Sequence, residues 1–176
     1  MLLRKINAAI SLLATFFLLD HAIFASAMML SKGSIKQGAP YAPWILAGVM
    51  LLHAFISIYT AVAANADNEG HKGRKYGKMN RATIIQRISG LLMTVFAALH
   101  VAGAAGYMHP PKIVHAIVPA VFFTIALAHV AVSGSKAFIT LGIGNAKIIK
   151  VIDVAIKIIC AATLIAALAG FYLYKV

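Results

Sequence analysis

Long apolar runs, separated by short polar segments, make up most of the 176-residue chain. Each run is long enough to cross roughly 30 Å of hydrocarbon as a helix that rises about 1.5 Å per residue. The runs cover Ile6 to Leu30, Trp44 to Ala64, Ile84 to Tyr107, Ile113 to Val132 and Val151 to Leu173. The pattern predicts an all-α membrane protein in which five transmembrane helices form a bundle.

The segments between the runs contain residues that commonly end helices. They are Gly38, Pro40 and Pro43 before the second run, Pro110 and Pro111 before the fourth, and Gly142, Gly144 and Asn145 before the fifth. Pro119 lies inside the fourth run, where we expect a kink whose freed carbonyl is satisfied by neighbouring helices. The connections are too short for a soluble domain, so residues 1–176 are expected to form one transmembrane domain.

Composition agrees with this class and excludes an ordinary soluble domain. Hydrophobic residues make up 62% of the chain and charged residues 11%, with a mean hydropathy of +0.91. Soluble domains contain roughly 45–50% apolar residues. The single cysteine, Cys160, excludes a disulfide within the chain and a thiolate cluster for zinc or iron–sulfur binding, so we expect it to be a packing residue.

Basic residues are unevenly distributed between the two ends of the predicted helices, and they account for the net charge of +12. One end carries Arg4, Lys5, Lys72, Arg74, Lys75, Lys78, Arg81, Arg87, Lys136, Lys147 and Lys150, and the other carries Lys32, Lys36, Lys112 and Lys175. Because cytoplasmic segments are enriched in Lys and Arg, we expect a multi-pass protein of the cell inner or plasma membrane with a cytoplasmic N-terminus. A nucleic-acid partner is not expected, because no soluble basic fold remains to bind one.

Two parts of the chain have competing interpretations. Arg4 and Lys5, followed by an apolar run and Ala25-Ser26-Ala27, imitate a cleaved secretory signal, but we expect this run to be retained as the first helix. The basic loop from Asn65 to Arg81 is either a landing surface for a soluble subunit or a segment that attracts anionic lipid.

Four histidines are the main candidates for chemistry. His21, His53, His100 and His129 occur one apiece in the first four apolar runs. Ionisable residues are costly in lipid and mark function by default, and paired imidazoles from facing helices hold haem iron in membrane electron carriers. A single histidine of this kind is readily explained as a hydrogen-bonded core residue. The set of four predicts two bis-histidine haem sites within the bundle, with these residues as iron ligands.

Depth along the helices predicts how the histidines pair. Counting about 1.5 Å per residue from the basic end of each run puts His21 and His100 roughly 20–24 Å deep, and His53 and His129 roughly 10–18 Å deep. We therefore expect His21 and His100 to form an outer pair and His53 and His129 to form an inner pair. Two haems would then be stacked across the membrane as a path for electrons.

Several short segments resemble a known family. They are His53-Ala54, the sequence Gln-Arg-Ile-Ser-Gly from Gln86 to Gly90, His100 downstream of it, and Gly142-Ile143 downstream of His129. In these segments, and in hydropathy over nearly the whole chain, the sequence resembles the dihaem cytochrome b subunit of succinate:quinone oxidoreductases and fumarate reductases. That family usually has a His-Ser pair soon after its basic N-terminus, where this chain has Asn7-Ala8.

The resemblance implies a role for each histidine and a set of partners. It implies that His21 and His100 ligate a distal haem b, and that His53 and His129 ligate a proximal haem b nearest the soluble subunits. The chain would pass electrons between a menaquinone-type quinone and cytoplasmic iron–sulfur and flavoprotein subunits, which carry the dicarboxylate chemistry. A dimer of the whole complex is compatible with this role, and the direction, succinate oxidation or fumarate reduction, stays open.

Four other residues are candidates for contacts with haem or quinone. Arg87 and Ser89 could bind a haem propionate or quinone, although an arginine there also serves as a positive-inside anchor. Asp20 and His115 form a second candidate quinone site. A structural hydrogen bond of Asp20 and an interfacial position of His115 are the simpler interpretations.

Other functions remain open at this stage. A dihaem cytochrome of the b561, hydrogenase or formate dehydrogenase type would use similar histidines with another electron donor. A haem-free membrane scaffold needs none of this chemistry, and a transporter would need helices interrupted at the midplane, for which Pro119 is the main indication. The segment from Gln86 to Gly90 favours the succinate or fumarate family.

Overall fold

Apolar segments of this length form helices in lipid because each backbone polar group must find its partner within the segment. The computed structural model describes residues 2–31, 42–69, 81–107 and 112–174. These residues form α1 (Leu2–Leu30), α2 (Ala42–Glu69), α3 (Arg81–Ala104), α4 (Lys112–Leu141) and α5 (Ala146–Tyr174). All five helices are long and apolar enough to cross a membrane. The predicted all-α, multi-pass architecture is confirmed.

The helix ends follow the residues that the sequence offers. Gly106 and Gly142 adopt positive φ angles of 76° and 111°, which an L side chain rarely adopts. In both turns the residue after the glycine donates to the carbonyl five residues earlier, at 3.0 Å and 3.1 Å, and this closes the helix. Asn145 then caps α5, because its Oδ1 accepts the backbone N–H groups of Lys147 and Ile148.

Helix α4 extends further than the apolar pattern predicts. The predicted run ends at Val132, whereas the helix continues to Leu141 and includes Pro119 without interruption. Ser133 Oγ donates to the carbonyl of His129 at 2.6 Å, and Thr140 makes the equivalent bond one turn back. Because these hydroxyls are satisfied by the preceding turn, polar residues continue the helix.

The first four helices form a ring. α1 packs against α2 and α4, α3 packs against α4, and sparser contacts between α2 and α3 close the circle. No close backbone contact joins α1 to α3 or α2 to α4 within the described parts of these helices, so each of these pairs lies on a diagonal. α5 packs outside the ring against α1 and α4. We call the end at which α1 and α3 begin and α2 and α4 end the basic end.

Most of the buried apolar residues in the described part of the chain lie on α1, α4 and α5. Buried residues there include Leu18, Phe122, Phe123, Leu127 and Cys160, so the expected packing role of the cysteine is confirmed. Large apolar side chains elsewhere point outward, and Phe55 on α2, for example, is 72% exposed. An apolar exterior of this extent suits contact with lipid, and it leaves little interior packing to hold α2.

Polar groups also join α4 to α5. Asp153 forms an ion pair with Lys157 one turn along α5, as their spacing predicts. The other carboxylate oxygen accepts a hydrogen bond from Ser135 Oγ of α4 at 2.9 Å. Both oxygens of the Asp153 carboxylate therefore have a partner.

We predict that Gly170→Val weakens the attachment of α5 to α1. A Cβ atom at position 170 would lie 3.1 Å from Met29 Cβ and 3.4 Å from the Ser26 carbonyl oxygen. Overpacking of this kind typically costs about 1–3 kcal/mol, and thermal unfolding in detergent should show a lower melting temperature. Gly48→Val is the matched control, because a Cβ atom there meets nothing within 4 Å. Equal melting temperatures for the two variants would contradict this packing.

Candidate functional site

The four histidines identified in the sequence all lie in the ring, one on each of its helices. His129 is buried, with 9% of its surface exposed, and His21, His53 and His100 are half-buried. They divide into two levels along the helix axes. The outer pair comes from the diagonal α1 and α3, and the inner pair comes from the diagonal α2 and α4.

The outer pair, His21 and His100, is in direct contact across the interior of the four-helix ring. The ring centroids of His21 and His100 are 6.4 Å apart, and their planes meet at 67°. Two imidazoles that bind one metal from opposite sides, with nitrogens about 2 Å from it, have ring centres about 6.4 Å apart. The angle is compatible with such ligation, because each ring can rotate about its bond to the metal. The separation of the two imidazoles therefore fits an arrangement in which both would bind one metal ion between them.

The surroundings of the outer pair are largely apolar. Phe122 of α4 stacks on His100, with centroids 5.5 Å apart and planes at 26°. His21 Nδ1 is buried and has no hydrogen-bond partner among the residues that the structure describes. A buried polar atom without a hydrogen bond costs about 1–3 kcal/mol. The described protein groups therefore do not offset the cost of burying His21 Nδ1.

At the inner level, Asn7 of α1 determines the chemical state of His53. Asn7 Nδ2 donates to Ser57 Oγ at 3.0 Å, which orients the amide so that Oδ1 faces His53 Nδ1, also at 3.0 Å. Because Oδ1 can only accept, the proton of the neutral ring lies on Nδ1. Nε2 of His53 therefore carries the lone pair that can bind a metal.

Ser89 of α3 determines in the same way which nitrogen of His129 carries the proton. Its hydroxyl proton is directed to the backbone carbonyl of Ile85 at 2.7 Å, with the Gln86 carbonyl a weaker alternative at 3.2 Å. Ser89 Oγ must then accept from His129 Nδ1, which lies 2.9 Å away. The hydrogen-bond network again puts the proton on Nδ1 and leaves Nε2 as the metal-binding nitrogen.

The two inner histidines lie well below the outer pair, with His53 bonded to Asn7 and His129 bonded to Ser89. The level of Ser89 is about 16 Å from His100 along α3, and the level of Asn7 is about 21 Å from His21 along α1, at 1.5 Å per residue. The ring thus holds two histidine pairs at two depths.

The segment from Gln86 to Gly90 forms much of the surface that receives His129. Gly90 faces its imidazole so closely that a Cβ atom there would lie 3.1 Å from Cε1. Gln86 Oε1 accepts a hydrogen bond from Lys136 of α4 at 2.8 Å. The motif therefore joins α3 to α4, and Ser89, a candidate for haem propionate or quinone contact, is hydrogen-bonded to His129.

The remaining candidates have less defined surroundings. Arg87 is exposed at the basic end. Asp20 is half-buried and directly precedes His21 on α1. His115 belongs to the first turn of α4, and its side chain lies outside the described residues.

The donor set suits a metal that brings its own equatorial ligands. In the described part of the chain, no three His, Cys, Asp or Glu side chains form a site for a bare ion. Two histidines are sufficient for a haem iron, since the macrocycle supplies four nitrogens. Both pairs supply two histidines, and the imidazoles of the outer pair also have the separation that binding to one iron requires.

No known protein family, curated protein or solved structure matches the chain. The interpretation of the site therefore depends on its own geometry and chemistry. Asn7 is the site residue that the sequence did not reveal as functional, because its role depends on how α1 and α2 are aligned with each other.

We predict that Gly90→Val displaces the imidazole of His129, so that it would remove the haem expected at the inner pair and spare the one expected at the outer pair. A Cβ atom at position 90 would lie 3.1 Å from His129 Cε1, and the rest of the valine side chain adds to this clash. Optical spectra of purified protein at graded potentials should then lack one of two haem components. Gly48→Val, which meets open space, should retain both. Retention of both haems by Gly90→Val would contradict the assigned contact.

Proposed function

We propose that this chain is the dihaem cytochrome b membrane anchor of a succinate:quinone oxidoreductase or fumarate reductase. Its role is to pass electrons between membrane quinone and an iron–sulfur subunit, which in turn serves a flavoprotein subunit. The observation that carries the proposal is the contact of His21 with His100 across the ring of helices, with His53 and His129 at a second depth on the other two diagonal helices. The resemblance of the segment from Gln86 to Gly90 selects this family among dihaem cytochromes.

The chemistry of the donors supports haem at both levels. Two neutral imidazoles would hold each haem and would leave no open coordination site on its iron, which would favour electron transfer over oxygen chemistry. When bound, each haem supplies a one-electron iron couple. The chain supplies the histidines, and Phe122 stacks on His100 beside the outer pair.

The basic end is the proposed docking face for the soluble partners. Among the residues that the structure describes, its exposed basic side chains include Arg4, Lys5, Arg81, Arg87, Lys147 and Lys150. By the positive-inside rule this face is cytoplasmic in a cell inner or plasma membrane. The inner pair would then be the haem site nearest the iron–sulfur subunit, and the outer pair would extend the electron path toward the opposite leaflet.

The quinone site is proposed at the outer level. Asp20 is a titratable group adjacent to the ligand His21, and reduction of a quinone consumes protons as well as electrons. His115 is the second proposed polar contact there. The competing location is the basic end, around Arg87 and Ser89, and the Ser89 hydroxyl is also hydrogen-bonded to a backbone carbonyl and to His129.

Removal of single ligands tests the pairing directly. His21→Ala and His100→Ala should each abolish the same haem component in redox-resolved optical spectra, and His53→Ala and His129→Ala should each abolish the other. Purification from membranes should also recover iron–sulfur and flavoprotein subunits with succinate or fumarate activity. Loss of the same component in His21→Ala and His53→Ala would contradict the two-level assignment. Recovery of hydrogenase or formate dehydrogenase subunits would favour the alternative dihaem family.

The quinone location has its own prediction. Asp20→Asn should slow quinol turnover by about 100-fold, the lower range for loss of a general acid or base, while both haems and the partner subunits remain bound. Arg87→Ala is the matched variant at the basic end. If Asp20→Asn leaves quinone kinetics unchanged and Arg87→Ala abolishes them with both haems retained, the outer location is wrong.

A further inference from the structure

The two histidine pairs differ in how the protein treats the nitrogen that does not bind metal. At the inner level, His53 Nδ1 is bonded to Asn7 and His129 Nδ1 to Ser89. At the outer level, His21 Nδ1 is buried without a partner in the described region. Hydrogen bonds within the protein therefore fix both inner histidines, whereas an outer histidine is less constrained.

We propose that Asn7 is a positioning residue that selects the metal-binding form of His53 and sets the electron-donor strength of this ligand. The inference depends on the proposed function, since it concerns haem at the inner pair. Asn7 lies on α1 and His53 on the neighbouring α2, so the bond also aligns the two helices. Ser57 holds the Asn7 amide from one helical turn beyond His53.

The direction of the effect follows from the hydrogen bond. An acceptor at Nδ1–H draws the proton away from the ring and makes Nε2 a stronger donor to the metal. A stronger donor stabilises ferric iron more than ferrous iron, so the bond lowers the reduction potential of the inner haem. Without the acceptor the potential should rise. With a carboxylate in place of the amide it should fall.

Ser89 provides a parallel contact on the opposite side of the ring. Because its proton is directed to the Ile85 carbonyl, its oxygen is oriented to accept from His129 Nδ1. A serine oxygen is a weaker acceptor than a carboxylate and one that carries no charge. Asn7 is the more informative position for substitution, since leucine and aspartate both approximate its shape while changing its acceptor strength in opposite directions.

The test uses potentiometric titration of both haems in the full complex carrying Asn7→Leu or Asn7→Asp. Asn7→Leu should move the midpoint of the inner haem to a more positive potential and make this haem about tenfold easier to lose. Asn7→Asp should move it to a more negative potential, with the Ser57 hydroxyl able to turn its proton toward the second carboxylate oxygen. The midpoint of the outer haem should stay unchanged in both variants.

The outcomes separate this inference from the proposed function. A wild-type chain without haem overturns both. Two haems with an unchanged inner midpoint in both variants, or shifts of the same sign, overturn the role of Asn7 alone. If Asn7→Leu loses the inner haem, retention of that haem at a lower potential by Asn7→Asp still supports the proposal, and its loss from both variants contradicts it. The inner component is identified as the one that His53→Ala removes.

Discussion

The cost of keeping four imidazoles inside hydrocarbon constrains the whole arrangement. A polar ring in this environment must be hydrogen-bonded or bound to a metal, or it destabilises the fold. The inner histidines meet part of this requirement through Asn7 and Ser89, which come from neighbouring helices of the ring. The outer histidines contact each other, and His21 keeps one buried nitrogen without a partner among the described residues.

The helices contribute unequally to the site. α1, α4 and α5 carry most of the buried apolar residues in the described part of the chain, which support His21 and His129. α2 has few buried side chains, and the polar bridge between Asn7, His53 and Ser57 adds to its backbone contacts with α1. Such a bridge is specific because buried polar groups tolerate only arrangements in which each is satisfied. The same bond thus serves helix packing and the proposed ligand chemistry.

Hydropathy and helix-ending residues were sufficient to predict the five helices and the cap region at Asn145. They underestimated α4, because Ser133 and its neighbours look like a break until their hydroxyls bond backward within the helix. The sequence could not predict which side chains on different helices bind each other, because apolar patterns do not determine how one helix is aligned against another. Asn7 therefore looked like a departure from the family pattern, although it lies against His53.

The haem content of the purified wild-type chain tests the central claim most directly. Pyridine haemochrome analysis combined with accurate protein quantification gives the number of haems per chain, and the oxidised and reduced spectra give their ligation. The pairing of the histidines predicts two b haems per chain, both low-spin and six-coordinate. A chain that binds no haem, or a single haem with an open coordination site, would contradict the account.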